Sequence, residues 1–315
     1  MTSFWSKLWS CELLGLVLSL AITAPSFPQQ KNVGSGSLER RFDALDLLES
    51  QAFRVHESTR RTAQLFGEAY SKDFSPLQRH ETLVALNGTD LGLLFRAASI
   101  AQFYTFDVRY VRDMQLDLAE LQKRGGATQG EYGNFYSALI ASRRFSQART
   151  FAQTHPGFSI APIPTFRNLS NGSTAGPTAM ILSSDGSELH RRSINLHEPA
   201  QIVVIISPLC HFSAGGLRDI DSDGVLHKVF QSHATWLIPP NAATSFEAVE
   251  QWNRKHPDER MVMAYRFQEW PMFDRWELPT FYFLRSGRVI AQVVGWPRQG
   301  RKREVEDALR RVGLL

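Results

Sequence analysis

At 315 residues the chain has room for two domains of ordinary size, and its 43% hydrophobic and 21% charged residues are ordinary globular composition. A net charge of +4 is small for this length and does not point to nucleic acid. The densest basic segment, RQGRKREVEDALRRVGLL, alternates in sign and reads as a solvated terminal helix, so no nucleic-acid partner is expected.

Residues 1–26 have the pattern of a signal peptide. One lysine precedes the apolar run LLGLVLSLAITA, and PSFPQQ breaks the pattern. A run of about 12 apolar residues is short for a bilayer span and suits a signal h-region, with Ala24 and Ser26 at the small-residue cleavage positions. The expectation is export to a periplasmic or extracellular location, with no stable membrane insertion once the segment is removed. The competing reading is a short hydrophobic anchor that stays in place. There are two cysteines, Cys11 and Cys210. Cleavage would remove the first, leaving one thiol and no intrachain disulfide in a compartment where disulfides persist.

Residues 27–37, FPQQKNVGSGS, read as a tether. From Leu38 apolar residues recur at three- and four-residue spacing, and residues 38–158 are expected to form an all-α domain. TDLGLLFRAASIAQFYTF offers Thr89 or Asp90 as a cap, and VRYVRDMQLDLAELQKRGG ends in a basic turn and a glycine pair. TQGEYGNFYSALIASRRFSQARTFAQTHPG reads as two helices parted near Arg143–Phe145. Tyr136, Ala138, Leu139, Phe145, Ala148 and Pro156 give this pair a resemblance to one tetratricopeptide-type repeat, with no second copy at a fixed period. Such a domain would select a protein partner or mediate association.

Residues 159–178, rich in Pro, Ser, Gly and Asn, mark the expected linker between domains. Asn87, Asn168 and Asn171 lie in sequons, relevant only in a glycosylating pathway. In residues 179–315, Asp185-Gly186 separates two strand-like runs, a hairpin signal. Beyond Ala200 strands and helices alternate: QIVVIIS, HFSAGGLRDI, ATWLIPP, SFEAVEQWNRKHP, RMVMAYR, then TFYFLRS and RVIAQVVGW around Gly287, and a closing helix. This implies an α/β layer fold with a mixed sheet and flanking helices.

This ordered set resembles the thioredoxin superfamily. Cys210 follows a buried strand and precedes a helix in the C-x-x-S arrangement CHFS; Pro279 in WELPTFYFLRSG stands where the family has a cis-proline; the Gly287 turn and Gly295-Trp296 match its terminal hairpin and helix. The resemblance covers roughly residues 200–315. It implies a peptide-docking loop at Leu278, Pro279 and Thr280 beside the thiol. It also marks departures: Ser213 replaces the resolving cysteine, Leu209 the tryptophan that often precedes the thiol, and Val204 a buried aspartate.

A helix N-terminus stabilises a thiolate, Ser213 is placed one turn on to donate to it, and His211 adds charge when protonated. The apolar strand before Cys210 opposes ionisation, so the thiolate prevails only if the sulfur reaches water. A lone thiol suits exchange with a cysteine-containing protein or a small thiol, through a mixed disulfide that a second thiol must release. The alternative is a non-catalytic scaffold in which Cys210 is a small buried hydrophobe. No cofactor is implied. No metal site is expected either, since Cys210 and His211 are adjacent and no second cluster shows ligand spacing. The aromatic run YRFQEWPMFDRWEL reads either as packing under the sheet or as the wall of a peptide groove.

Overall fold

A computed structural model describes residues 35–55, 57–155, 162–170, 176–241 and 245–315. The expected signal segment, Cys11 and most of the 27–37 tether lie outside these residues; residues 35–37 open a helix. Among the described residues no helix is long and apolar enough to cross a membrane. The chain divides after His56. Before that point the described structure is one helix, α1 (Ser35–Val55).

The second unit, Glu57–Leu315, starts with helices α2 (Thr59–Asp73), α3 (His80–Ala85), α4 (Gly88–Thr105), α5 (Val108–Lys123), α6 (Gln129–Ala141) and α7 (Phe145–Thr154). Short polar side chains set the starts of α2, α4, α5 and α6. Ser58 accepts a hydrogen bond from the Arg61 amide at 3.3 Å, and so interrupts a periodic run that reads as continuous in sequence. Asn87, rather than Thr89 or Asp90, caps α4: it accepts from the Asp90 amide at 2.8 Å and donates to the Asp90 carboxylate at 2.9 Å. Thr128 and Glu131 form a reciprocal capping box on α6. Gly125, at φ +68°, ends α5 in the left-handed conformation that glycine adopts without penalty. Helix α4 is the centre of this layer. Leu91, Leu94, Phe95, Ala97, Ala98 and Ala101 are all fully buried, because α2, α5 and α6 pack around it.

The strands are β1 (Thr165–Asn168), β2 (Thr178–Leu182), β3 (Glu188–Ser193), β4 (Gln201–Ile205), β5 (Ala234–Ile238), β6 (Met261–Ala264), β7 (Thr280–Arg285) and β8 (Arg288–Val294). They form one mixed sheet in the order β1-β3-β2-β6-β5-β4-β7-β8. Strands β4, β5 and β6 run parallel, while β7 and β8 continue antiparallel beyond β4. The Asp185-Gly186 hairpin forms as expected between β2 and β3, with Gly186 at φ +72°. Strand β1 falls within the stretch that reads as a linker; it pairs with β3, and Phe166 stacks on Tyr265 at 5.9 Å. The flanking helices are α8 (His211–Asp221), α9 (Gly224–His233), α10 (Phe246–Lys255) and α11 (Lys302–Val312). Helix α9 has no counterpart in the sequence reading. Asp223 starts it by accepting from the Val225 and Leu226 amides.

Two features join the helical layer to the sheet. The Arg143 guanidinium, in the left-handed turn between α6 and α7, donates to the carbonyls of Tyr265 at 2.9 Å, Ile140 at 3.2 Å and Ala264. Phe106 stacks on Phe267 at 5.3 Å, and Phe145 packs between Phe166 and Phe246. The aromatic run beyond β6 is core packing: Trp270, Phe273 and Trp276 are buried against Val203, Ile205, Tyr282 and Leu284. Inside the helical layer, Tyr70 donates to Asp113 at 3.0 Å, and Gln78 donates to Tyr70 at 3.1 Å and to Asp117 at 3.0 Å. Asp117 is fully enclosed, and its Oδ1 has no hydrogen-bond partner among the described residues.

Arg143→Ala is expected to lower the unfolding free energy by about 2–4 kcal/mol, because carbonyls facing a charged donor lose it inside the interface. Urea unfolding measures this, and an effect near zero would refute the bridging role. Burial pushes the Asp117 carboxyl well above its ordinary range. The folded state therefore keeps a proton that the unfolded state releases, and this group's contribution to stability falls as pH rises from about 4. Asp117→Asn removes that fall. Its stability relative to wild type should rise between about pH 4 and pH 7, read from urea midpoints across that range.

Candidate thiol site

The site is built where β4 leaves the sheet. Ile202 through Ile206 are buried β-branched residues, and the Ile206 amide still bonds to the Leu237 carbonyl at 2.9 Å. Ser207 then turns the chain: its hydroxyl accepts from the Leu209 amide at 3.3 Å, and its carbonyl accepts from the Cys210 amide at 3.2 Å. Cys210 follows with extended backbone, φ −96° and ψ 118°, as the residue that caps α8. Its carbonyl accepts from the Ala214 amide at 3.0 Å, and no side chain caps the helix. The sulfur belongs to a half-buried residue at the positive end of a helix dipole.

The proline loop lies at the same end of the neighbouring strand. Ile205 on β4 is paired with Thr280 on β7, so the segment that follows Ile205 and the residue that precedes Thr280 both leave the sheet there. The Leu278–Pro279 peptide is cis. The Pro279 carbonyl accepts from the Gly295 amide at 2.7 Å, which ties the loop to the start of the Gly295-Trp296 segment. The Thr280 side chain is fully buried and donates to the Glu277 carbonyl at 2.7 Å, and Leu278 leans on the aromatic core. The threonine hydroxyl is therefore committed within the loop.

The residues that the sequence places around the sulfur differ in exposure. Ser213 is 1% exposed, and its hydroxyl has no hydrogen-bond partner among the described residues, the thiol included. His211 is exposed, with its ring 3.9 Å from that of Phe212. Val204, beneath the site, brings no charge. Two residues that sequence reasoning did not single out for contact dominate the surface: Leu209 is 63% exposed and Phe212 50%. Apolar side chains on both sides of a thiol, in a loop and a first helical turn, were the available signal.

Of Gly215 and Gly216, which weaken α8 by propensity, Gly216 has a packing reason. A Cβ on Gly216 would stand 3.3 Å from the Trp296 ring and 3.5 Å from Phe281. Trp296 therefore presses on the helix itself, and its indole N–H donates to Asp219 at 2.7 Å. In comparison with known families, curated proteins and solved structures, the chain matches none.

Ser213→Cys, in a Cys11→Ser background, places a second thiol one helical turn from the first, within the reach that a disulfide requires after small adjustment. Mild oxidation should abolish both free thiols while the Cys11→Ser parent keeps its one. Two thiols that persist in the oxidised variant would show that position 213 faces away from the sulfur.

Proposed function

We propose that residues 200–315 form a thioredoxin-like domain and that the protein carries out thiol–disulfide exchange through Cys210 alone, outside the cytoplasm. The observation that carries this reading is the half-buried thiol at the start of α8, at the same sheet end as the cis Leu278–Pro279 loop. The terminal hairpin and helix, β7, β8 and α11, support the same reading. In the reaction, the Cys210 thiolate attacks one sulfur of a disulfide. A new S–S bond forms to Cys210, the old bond breaks, and the partner's other sulfur leaves as a thiolate. A second thiolate then attacks the mixed disulfide and restores Cys210. Leu209 and Phe212 would hold an apolar segment of the partner beside the sulfur, and the helical layer would contribute to partner choice.

A scaffold reading draws on the Ser213 hydroxyl, which is buried and makes no hydrogen bond to the thiol, and on Val204, which offers no proton acceptor. In that case Leu209 and Phe212 bind without chemistry. Incubation of the folded Cys11→Ser protein with oxidised glutathione, followed by intact mass measurement, discriminates. Exchange predicts one glutathionyl group per chain, its removal by reduced glutathione, and no adduct on Cys11→Ser/Cys210→Ser. An adduct that forms only after unfolding would leave the scaffold.

A further inference from the structure

At the far end of α8, about 16 Å from the cysteine along an 11-residue helix, three ligand-type side chains converge. Asp221 is the last residue of α8, His227 lies on α9, and Glu259 lies between α10 and β6. The His227 Nδ1 stands 3.4 Å from Asp221 Oδ1 and 3.7 Å from Glu259 Oε1, and the three atoms all lie within 4.8 Å of one another. Glu259 is 5% exposed, and its Oε1, aimed at the cluster, has no hydrogen-bond partner among the described residues.

We propose that Asp221, His227 and Glu259 form a zinc-binding site with a fourth position open to solvent. Three ligand atoms about 2.1 Å from a tetrahedral ion stand about 3.4 Å apart, which matches the spacings around His227. Both separations around His227 Nδ1 are long for a charged hydrogen bond. An imidazole with two carboxylates favours zinc over calcium or magnesium, which take oxygen ligands. Asp221 and His227 are partly exposed, so an ion can enter and keep a water.

The surroundings hold the buried ligand in place. The Glu259 amide donates to the His256 carbonyl at 3.2 Å, and the Trp252 indole donates to the Glu259 carbonyl at 3.0 Å. His256 stacks on Trp252 at 3.8 Å, and its Nδ1 stands 3.8 Å from Glu259 Oε2. The C-terminal end of α8 also favours a cation.

The test uses untagged, chelator-stripped protein with Cys11→Ser and Cys210→Ser, so that no thiol binds metal, titrated with zinc sulfate in a calorimeter. One ion per chain is expected, with a Kd of about 1 μM or tighter. Glu259→Gln and His227→Ala should abolish that binding, and the partly exposed Asp221→Asn should weaken it by roughly 10-fold or more. Zinc should raise the unfolding midpoint of the parent and leave that of Glu259→Gln unchanged. Circular dichroism without zinc confirms that each variant is folded, and Asp221→Asn decides the matter if a buried substitution disrupts the chain. Absence of binding by the parent, equal binding by parent and Asp221→Asn, or preference for magnesium over zinc would each overturn the assignment.

Discussion

The antiparallel pairing of β4 with β7 is the contact on which the thiol site depends, and its register is held from both faces of the sheet. Phe281 packs toward the helices, against Trp296 at 5.3 Å and Phe230 at 6.1 Å. Its neighbour Tyr282 points the other way, stacks on Phe273 at 4.3 Å, and donates its hydroxyl to Asp274 at 2.9 Å while accepting from the Arg275 amide. A slip of one residue would exchange these side chains and drive a hydroxyl into an apolar layer, at the cost of its hydrogen bonds. With the register held, Ile205 stays opposite Thr280, and the cysteine and proline loops stay at one end of the sheet.

The helical layer meets the sheet through groups that sequence patterns seldom place at interfaces. The Arg143 guanidinium is enclosed, and desolvation holds it below the ordinary arginine range against the pull of Tyr265 and Glu269. It is tolerated because its planar fork reaches carbonyls at the end of β6 and of α6 at once. The same layer contains Tyr70, Gln78, Asp113 and Asp117, a hydrogen-bonded group whose acids are both raised by burial. Polar groups in such a setting give the packing direction that apolar contacts alone do not.

Helix α8 presents opposite chemistry at its two ends. Its N-terminus carries the half-buried thiol beside first-turn amides that no side chain caps. Its C-terminus carries Asp221 beside His227 and Glu259, where the dipole favours a positive ion. Trp296 anchors the helix between them through Gly215, Gly216 and Asp219. That single tryptophan explains why a glycine, Gly216, stands in the second turn despite its low helix propensity.

Local patterns in the sequence were sufficient for many of the elements. The β-branched run of β4, the glycine turns at Gly186 and Gly287, the basic end of α5 and the break near Arg143 each depend on residues within one turn or strand of one another. The mixed sheet and the helical region preceding it followed from their order. Contacts between distant segments were not legible. Asn87 displaced better-placed caps because its amide also reaches Asp90. Strand β1 formed in a stretch composed like a linker because β3 supplied an edge. The aromatic run settled into the core because Tyr282 and Val203 lay beneath it. Ser213 turned its hydroxyl into the interior, although its spacing from Cys210 suggested a partnership. Asp221, His227 and Glu259 come from three segments with no shared spacing, and only the packing of α8, α9 and the β6 entry brings them together. Periodicity encodes which face of an element is buried, whereas the identity of the neighbour across that face is decided by the closure of the whole chain.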